Sequence, residues 1–206
     1  MKHWKSAFDE NPLIAILRGL QPEQAIDVAE VLVSSGFTII EVPMNSPEPL
    51  ISIQRIADKF SDQVVVGAGT VLTADEVFEV AGADGQLIVA PNVNPQVGAK
   101  AISLGVSWCP GVTTPSEAFQ ALELGASMLK FFPAELISPA AVRAMRAVLP
   151  KNARVVIVGG ITPEKMSEYL DAGADGFGLG SALFKPDYSL KELEDRAIAF
   201  VSALNI

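Results

Sequence analysis

RVVIVGGITPEKMSEYLDAGADGFGLG, residues 154–180, holds one structural unit and the start of the next. Val155 to Val158 form a continuous apolar, β-branched run with no polar alternation, so this strand is covered on both faces. Two glycines break it. Thr162 followed by Pro163 then makes a helix start, a hydroxyl to accept an orphan N–H and a ring whose fixed φ suits the first helical position. The helix ends on DAGA, with Gly173 where a left-handed residue is wanted, and a second short run, GFGLG, follows. Strand, helix and strand, with both strands buried, is the connection of a parallel sheet.

The same grammar recurs along the chain. Apolar runs stand at LIAIL (13–17), FTIIEV (37–42), VVVGAG (64–69), QLIVAP (86–91), VSWCPG (106–111), SMLKFF (127–132), RVVIVGG (154–160) and GFGLG (176–180), eight in all. Ser46-Pro47, Asn94-Pro95, Thr114-Pro115, Ser138-Pro139 and Thr162-Pro163 predict helix starts, and SSGF, SLGV, ELGA and DAGA predict the ends. Thr73 to Glu76 and Thr114 to Glu117 add the capping-box spacing. Units of roughly 20 to 25 residues, repeated in this way, predict a TIM (β/α)8 barrel at the small end of its size range. An open doubly wound sheet is the competing arrangement, but in VVVGAGTVL Leu72 stands where the third glycine of a dinucleotide fingerprint belongs. No linker, low-complexity tract or shift in composition divides the chain. The expectation is one domain over 1–206, with residues 1–12 as an N-terminal helix or arm.

Half of the 206 residues are hydrophobic and 19% are charged, which suits a packed core and not a disordered chain. The formal net charge of -9 repels polyanions, and no Lys/Arg cluster overrides it locally, so nucleic acid is not an expected partner. An anionic ligand needs a local device, either backbone N–H groups or one placed arginine. Cys109, the only cysteine, cannot form an internal disulfide and reads as an inert buried thiol within VSWCP. His3, the only histidine, lies on the polar opening segment, which removes His-based triads and His-rich metal sites. That segment carries acidic residues and no apolar signal core, and no apolar run reaches membrane-spanning length. A cytoplasmic protein with no membrane partner is expected.

Reactive groups of a barrel sit at the carboxyl ends of its strands. Arg18 follows LIAIL, Glu41 lies inside TIIEVP, and Lys130 lies inside SMLKFF. Burying an ammonium is costly, and carrying the amine neutral avoids much of that cost. A neutral amine is a nucleophile, and Leu129, Phe131 and Phe132 offer it an apolar wall. A lysine snorkelling at a strand end, or paired with a carboxylate, is an equal reading of that position taken alone. Glu41 shifts the balance, because the second and sixth runs are both even-numbered and share a layer of the barrel interior. It can serve as a proton carrier there, or simply pair with Lys130 or Arg18.

The last two strand ends, VGGITPE (158–164) and GLGSALF (178–184), are glycine-rich and run into helix starts. Barrels use the loops after strands seven and eight to hold phosphate, with N–H groups in place of lysines, which meets the constraint set by the acidic charge. Thr70 in GAGT reads as a donor to a substrate carbonyl or carboxylate, or as a turn-stabilising hydroxyl; Ser181 has the same two readings. Pro91 and Phe132 are expected as apolar walls.

Together LIAILRG, IIEVPMNSP, VVGAGTVL, IVAPN, PGVTTPSEA, LKFFPAE and VGGITPE, spanning Pro12 to Phe184, resemble the class I aldolases that cleave 2-keto-3-deoxy-6-phosphosugar acids. The resemblance implies a homotrimeric barrel without metal or cofactor, with Lys130 as the Schiff-base lysine, Glu41 as the acid/base, and Gly160, Gly180 and Ser181 near the phosphate. It further implies attack of Lys130 on the C2 carbonyl, cleavage of C3–C4, and release of D-glyceraldehyde 3-phosphate and then pyruvate. Arg18 suits the substrate carboxylate. Asn45 in EVPMNSP, and Val158 before Gly159-Gly160, are similar to members acting on the galactonate epimer, whereas KFFPAE resembles those acting on the gluconate epimer. A phosphosugar isomerase or epimerase, or a ligand-binding barrel without activity, would use the same phosphate loops and needs no nucleophilic lysine.

Overall fold

The computed structural model describes residues 2–204; Met1, Asn205 and Ile206, which the one-domain expectation also covers, lie outside the described residues. Strands β1 (Leu13–Ile16), β2 (Ile39–Pro43), β3 (Val65–Gly69), β4 (Leu87–Val89), β5 (Ser107–Cys109), β6 (Gly111–Val112), β7 (Leu129–Phe131), β8 (Val155–Val158) and β9 (Gly176–Leu179) form one sheet in the order β5-β4-β3-β2-β1-β9-β8-β7-β6. Every pairing is parallel. The two ends of that order, β5 and β6, are consecutive in the chain and are separated by Pro110 alone.

Pro110 explains why the fifth apolar run becomes two strands. Its hydrogen-bonding side faces β7, where it has no N–H to give, so pairing with β7 starts at Gly111, while pairing with β4 runs to Cys109. Its carbonyl still accepts from the Lys130 N–H at 2.9 Å. The nine strands thus fill eight barrel positions, and the ring closes through the chain itself. This is the expected TIM barrel.

Around it lie α1 (Trp4–Glu10), α2 (Ala25–Ser34), α3 (Pro49–Phe60), α4 (Ala74–Gly82), α5 (Pro95–Ser103), α6 (Pro115–Glu123), α7 (Pro139–Arg146), α8 (Pro163–Asp171) and α9 (Leu190–Leu204). Asn94, Thr114, Ser138 and Thr162 are the N-caps expected of them, and both capping boxes form. The glycines that end α2, α5, α6 and α8 all have positive φ. Ser46-Pro47 departs from the expectation. The helix there begins two residues later, at Pro49, because the residue before a proline is driven out of the right-handed helical region, and Glu48 takes φ 38° instead. Ser46 has another use, since its hydroxyl accepts from the Gly19 N–H at 3.0 Å and ties the β2 loop to the β1 loop.

Two apolar layers follow from strand alternation. Side chains such as Ala15, Ile40, Ala68, Leu129 and Phe131 pack outward under the helices. Ile14, Ile39, Val65, Leu87, Cys109, Met128 and Val156 fill the ring. Ala7 and Phe8 of α1 belong to that inner layer, and Thr38 donates its hydroxyl to the Ala7 carbonyl at 2.7 Å. The leading helix therefore plugs the amino-terminal mouth of the barrel.

Candidate active site

At the carboxyl ends of the strands a cavity of about 610 Å³ opens. Lys130 is the middle residue of β7 and points into the ring, where it is 7% exposed. Alternation decides which neighbours surround its amine. Leu129 and Phe131, expected as its wall, face the helices, so that part of the expectation is corrected. Phe132 does face the amine, with Nζ 4.7 Å from the ring centroid.

Glu41, in the middle of β2, is 2% exposed and lines the same cavity. None of the ion pairs among the described residues uses Glu41, Lys130 or Arg18, so the purely structural pairing weighed for these groups does not occur. Burial pushes the Glu41 carboxyl above its ordinary value, against the pull of Lys130 and, more weakly, Arg18. Its Oε2 is buried with no hydrogen-bond partner. Cys109 lies within electrostatic reach of both groups. Burial drives its thiol up to about 12, Lys130 opposes the rise and Glu41 adds to it, which leaves the thiol protonated and inert at neutral pH.

Arg18 reaches in from the end of β1. Its guanidinium donates to Asn45 Oδ1 and, at 3.3 Å, to Thr70 Oγ1. Thr70 has φ 56°, a strained backbone for a β-branched residue at the edge of a cavity. Pro91 and Phe132 line the cavity as apolar walls, and Val158 ends β8 at its rim.

The glycine-rich turns follow β8 and β9, which lie between β7, the strand of Lys130, and β1, which leads to Arg18. Gly159 and Gly160 have φ 117° and 58° and line the cavity. A Cβ on Gly159 would stand 2.5 Å from Glu135 Oε2, so the Glu135 carboxylate packs against this turn at the cavity. Beyond β9, Gly180, Ser181 and Ala182 form a helical turn whose Gly180 carbonyl accepts from Leu183 and Phe184 at 2.8 and 3.0 Å. The N–H groups of Ser181 and Ala182 make no hydrogen bond among the described residues and stand free at the cavity with Lys185 beside them. Arg18, Glu41, Thr70, Pro91, Lys130, Phe132, Val158, Gly159, Gly160, Gly180 and Ser181 thus line this one cavity, whereas Leu129 and Phe131 do not. Three that bear on it were passed over: Glu135, Lys185, and Asn45 as the anchor of Arg18. Glu135 sits only five residues past the strand lysine, in the same apolar segment, which is the signal that could have found it.

A family model for "Aldolase: KDPG and KHG aldolase" matches residues 5–199. The chain belongs to that aldolase family. It is 43% identical over 192 residues to the 2-dehydro-3-deoxy-6-phosphogalactonate aldolase of Escherichia coli K12, spanning 93% of this chain and 94% of that one. It is 46% identical over 194 residues to a probable 2-dehydro-3-deoxy-6-phosphogalactonate aldolase of Rhizobium meliloti 1021, spanning 94% and 92%. A solved native KDPGal structure is 43% identical and superimposes with a TM-score of 0.93 over 94% of each chain. The protein is accordingly an aldolase, a carbon–carbon lyase. An amine without a counter-ion, an acid without a partner in the same cavity, and free N–H groups beyond the next strands of the ring are the parts that a covalent aldol cleavage of a phosphorylated substrate requires.

Proposed function

We propose that this aldolase cleaves 2-dehydro-3-deoxy-6-phospho-D-galactonate to pyruvate and D-glyceraldehyde 3-phosphate through a Schiff base on Lys130. The observation that carries the reading is the buried, ion-pair-free lysine facing Glu41 across the cavity. Lys130 Nζ adds to the C2 carbonyl, and water leaves to give an iminium. Glu41, directly or through water, takes the C4 hydroxyl proton; the C3–C4 electrons flow into the iminium, and the aldehyde departs. The enamine is then protonated at C3, and hydrolysis returns the amine and releases pyruvate.

Arg18 holds the substrate carboxylate, pre-oriented by Asn45 and Thr70. The free N–H groups of Ser181 and Ala182, together with Gly180 and the Gly159–Gly160 turn, receive the phosphate. The galactonate epimer is favoured by the names of the two relatives and by Val158, which gives the cavity rim a methyl where a threonine would give a hydroxyl. The gluconate epimer is the second reading, favoured by Glu135, which brings the carboxylate of the KFFPAE segment to the cavity.

The chain acts as one barrel domain, and the described part of the expected leading arm, residues 2–12, packs onto the barrel through Ala7 and Phe8. It assembles as the homotrimer that the family resemblance implies, for which exposed Phe78, Ile102 and Phe119 offer apolar contact surface. The unpaired, buried Cys109 supports a cytoplasmic setting.

Two measurements test this. Borohydride with pyruvate adds mass at Lys130 in the parent chain and none in Lys130→Ala, which also loses turnover. Pyruvate release from the two purified epimers gives the larger kcat/KM with the galactonate. Full activity of Lys130→Ala ends the Schiff-base reading, and a larger value with the gluconate transfers the assignment to that epimer.

A further inference from the structure

The carboxylate of Glu41 lies where a side chain would stand on the neighbouring strand. Val65, Gly67 and Gly69 are the inward-facing positions of β3, and Glu41 of β2 is level with Gly67. A Cβ on Gly69 would sit 2.2 Å from Glu41 Oε2, 2.6 Å from Cδ and 2.8 Å from Oε1. Gly69 is absent from the glycines with positive φ, so its backbone conformation is open to any residue, and space alone demands glycine there.

β3 cannot retreat from such a methyl group. Gly69 is paired with Pro43, its carbonyl accepts from the Met44 N–H at 2.8 Å, and Thr70 beyond it is already in the left-handed region. Relief must come from the carboxylate, the far end of a flexible side chain. Gly67 differs, because a Cβ there would meet the Leu87 carbonyl oxygen at 2.0 Å, backbone against backbone.

We propose that Gly69 is a positioning residue for the cleavage step, and that its bare Cα is the seat that sets where Glu41 lies relative to the Lys130 amine. The proposal rests on the assignment of Glu41 as proton carrier. Gly69→Ala unseats the acid and leaves the lysine in place. The expected result is retained trapping of pyruvate on Lys130, a fall in kcat of about 10- to 100-fold, and a KM that changes far less. The limb of the pH profile that belongs to Glu41 moves to lower pH, because the unseated carboxylate loses part of its burial; Lys130 and Arg18 are the charged groups that act on it, and the Cys109 thiol, which burial and Glu41 push up, stays neutral beside it.

A thermal-melting cycle tests the seat without activity. Gly69→Ala lowers Tm in the parent chain and costs little in a Glu41→Ala background, where the space is vacant. In kinetics, Glu41→Asp, one methylene shorter, adds less than its full loss when combined with Gly69→Ala. Parent-like kcat and pH profile in Gly69→Ala, or an equal loss of Tm in both backgrounds, overturns the proposal. A parent chain that fails to trap pyruvate overturns the Schiff-base function instead, and the melting cycle still decides the seat.

Discussion

Burial raises the Glu41 carboxyl above its ordinary 4.5, and the attraction of Lys130 and Arg18 undoes only part of that rise. The folded chain therefore holds this proton more tightly than the unfolded chain does. The contribution of Glu41 to stability is complete below 4.5 and is lost as pH rises through the higher folded value. Glu41→Gln keeps the shape and never ionises. It is expected to melt above the parent at about pH 8, each 1 kcal/mol regained raising Tm by about 2–4 °C for a chain this size, with the gap closing towards about pH 4. On the proposed role of Glu41, the same variant is expected to trap pyruvate but cleave slowly, and the proposed proton carrier is then one the fold would be more stable without. A Tm gap that does not vary with pH would dissociate the stabilisation from ionisation. The placement of Glu41 and Lys130 was legible because an ionisable residue inside an apolar run has few uses. Glu135 was less legible: its place five residues past Lys130 is a signal, but two residues after Pro133 a glutamate reads as an ordinary solvated turn, and the Gly159–Gly160 turn that packs against it is distant in sequence.

Among the elements, α6 shows how a local signal reaches the site. Thr113 and Thr114 donate their N–H groups to Glu117 Oε2 at 2.9 and 2.8 Å, and Thr113 Oγ1 donates to the Phe132 carbonyl at 2.8 Å. The cap thus fastens the start of the helix to the end of the strand that carries Lys130. Hydrogen bonding, first from the Thr113 N–H, holds the Glu117 carboxyl below 4.5, so its stabilising effect is present above 4.5 and disappears as pH falls through the lowered value. Glu117→Gln is expected to cost about 0.3–1 kcal/mol at neutral pH, a helix-terminus effect on a partly exposed group, and nothing at low pH. Urea titrations at the two pH values measure it, and an equal cost at both would contradict the charge argument. Caps and terminal glycines were legible because their partners lie within four residues. The late start of α3 and the division at Pro110 were not, because each depends on a proline acting on a neighbour whose own identity, Glu48 or Cys109, gives no sign of it.

Across the whole molecule the barrel separates the two tasks by end. α1 closes the amino-terminal mouth with Phe8, which is 2% exposed and packs in the same inner layer as Ile14, Val65 and Val156. Gly176, at the start of β9, makes room for it: a Cβ there would stand 2.8 Å from Phe8 Cζ. Lys130, Glu41 and the glycine-rich turns after β8 and β9 all line the cavity at the opposite end. Phe8→Ala is expected to cost about 3–5 kcal/mol, enough to threaten a fold of ordinary stability. It should leave pyruvate trapping at Lys130 and the ratio of kcat/KM for the two epimers unchanged, because no group that touches substrate rests on α1. Denaturant midpoints and the paired pyruvate-release assay measure the two effects on one preparation. A changed epimer ratio in Phe8→Ala would mean that the plug sets the height of the inner layer on which Glu41 and Val158 stand, and the division of labour between the two ends would fail.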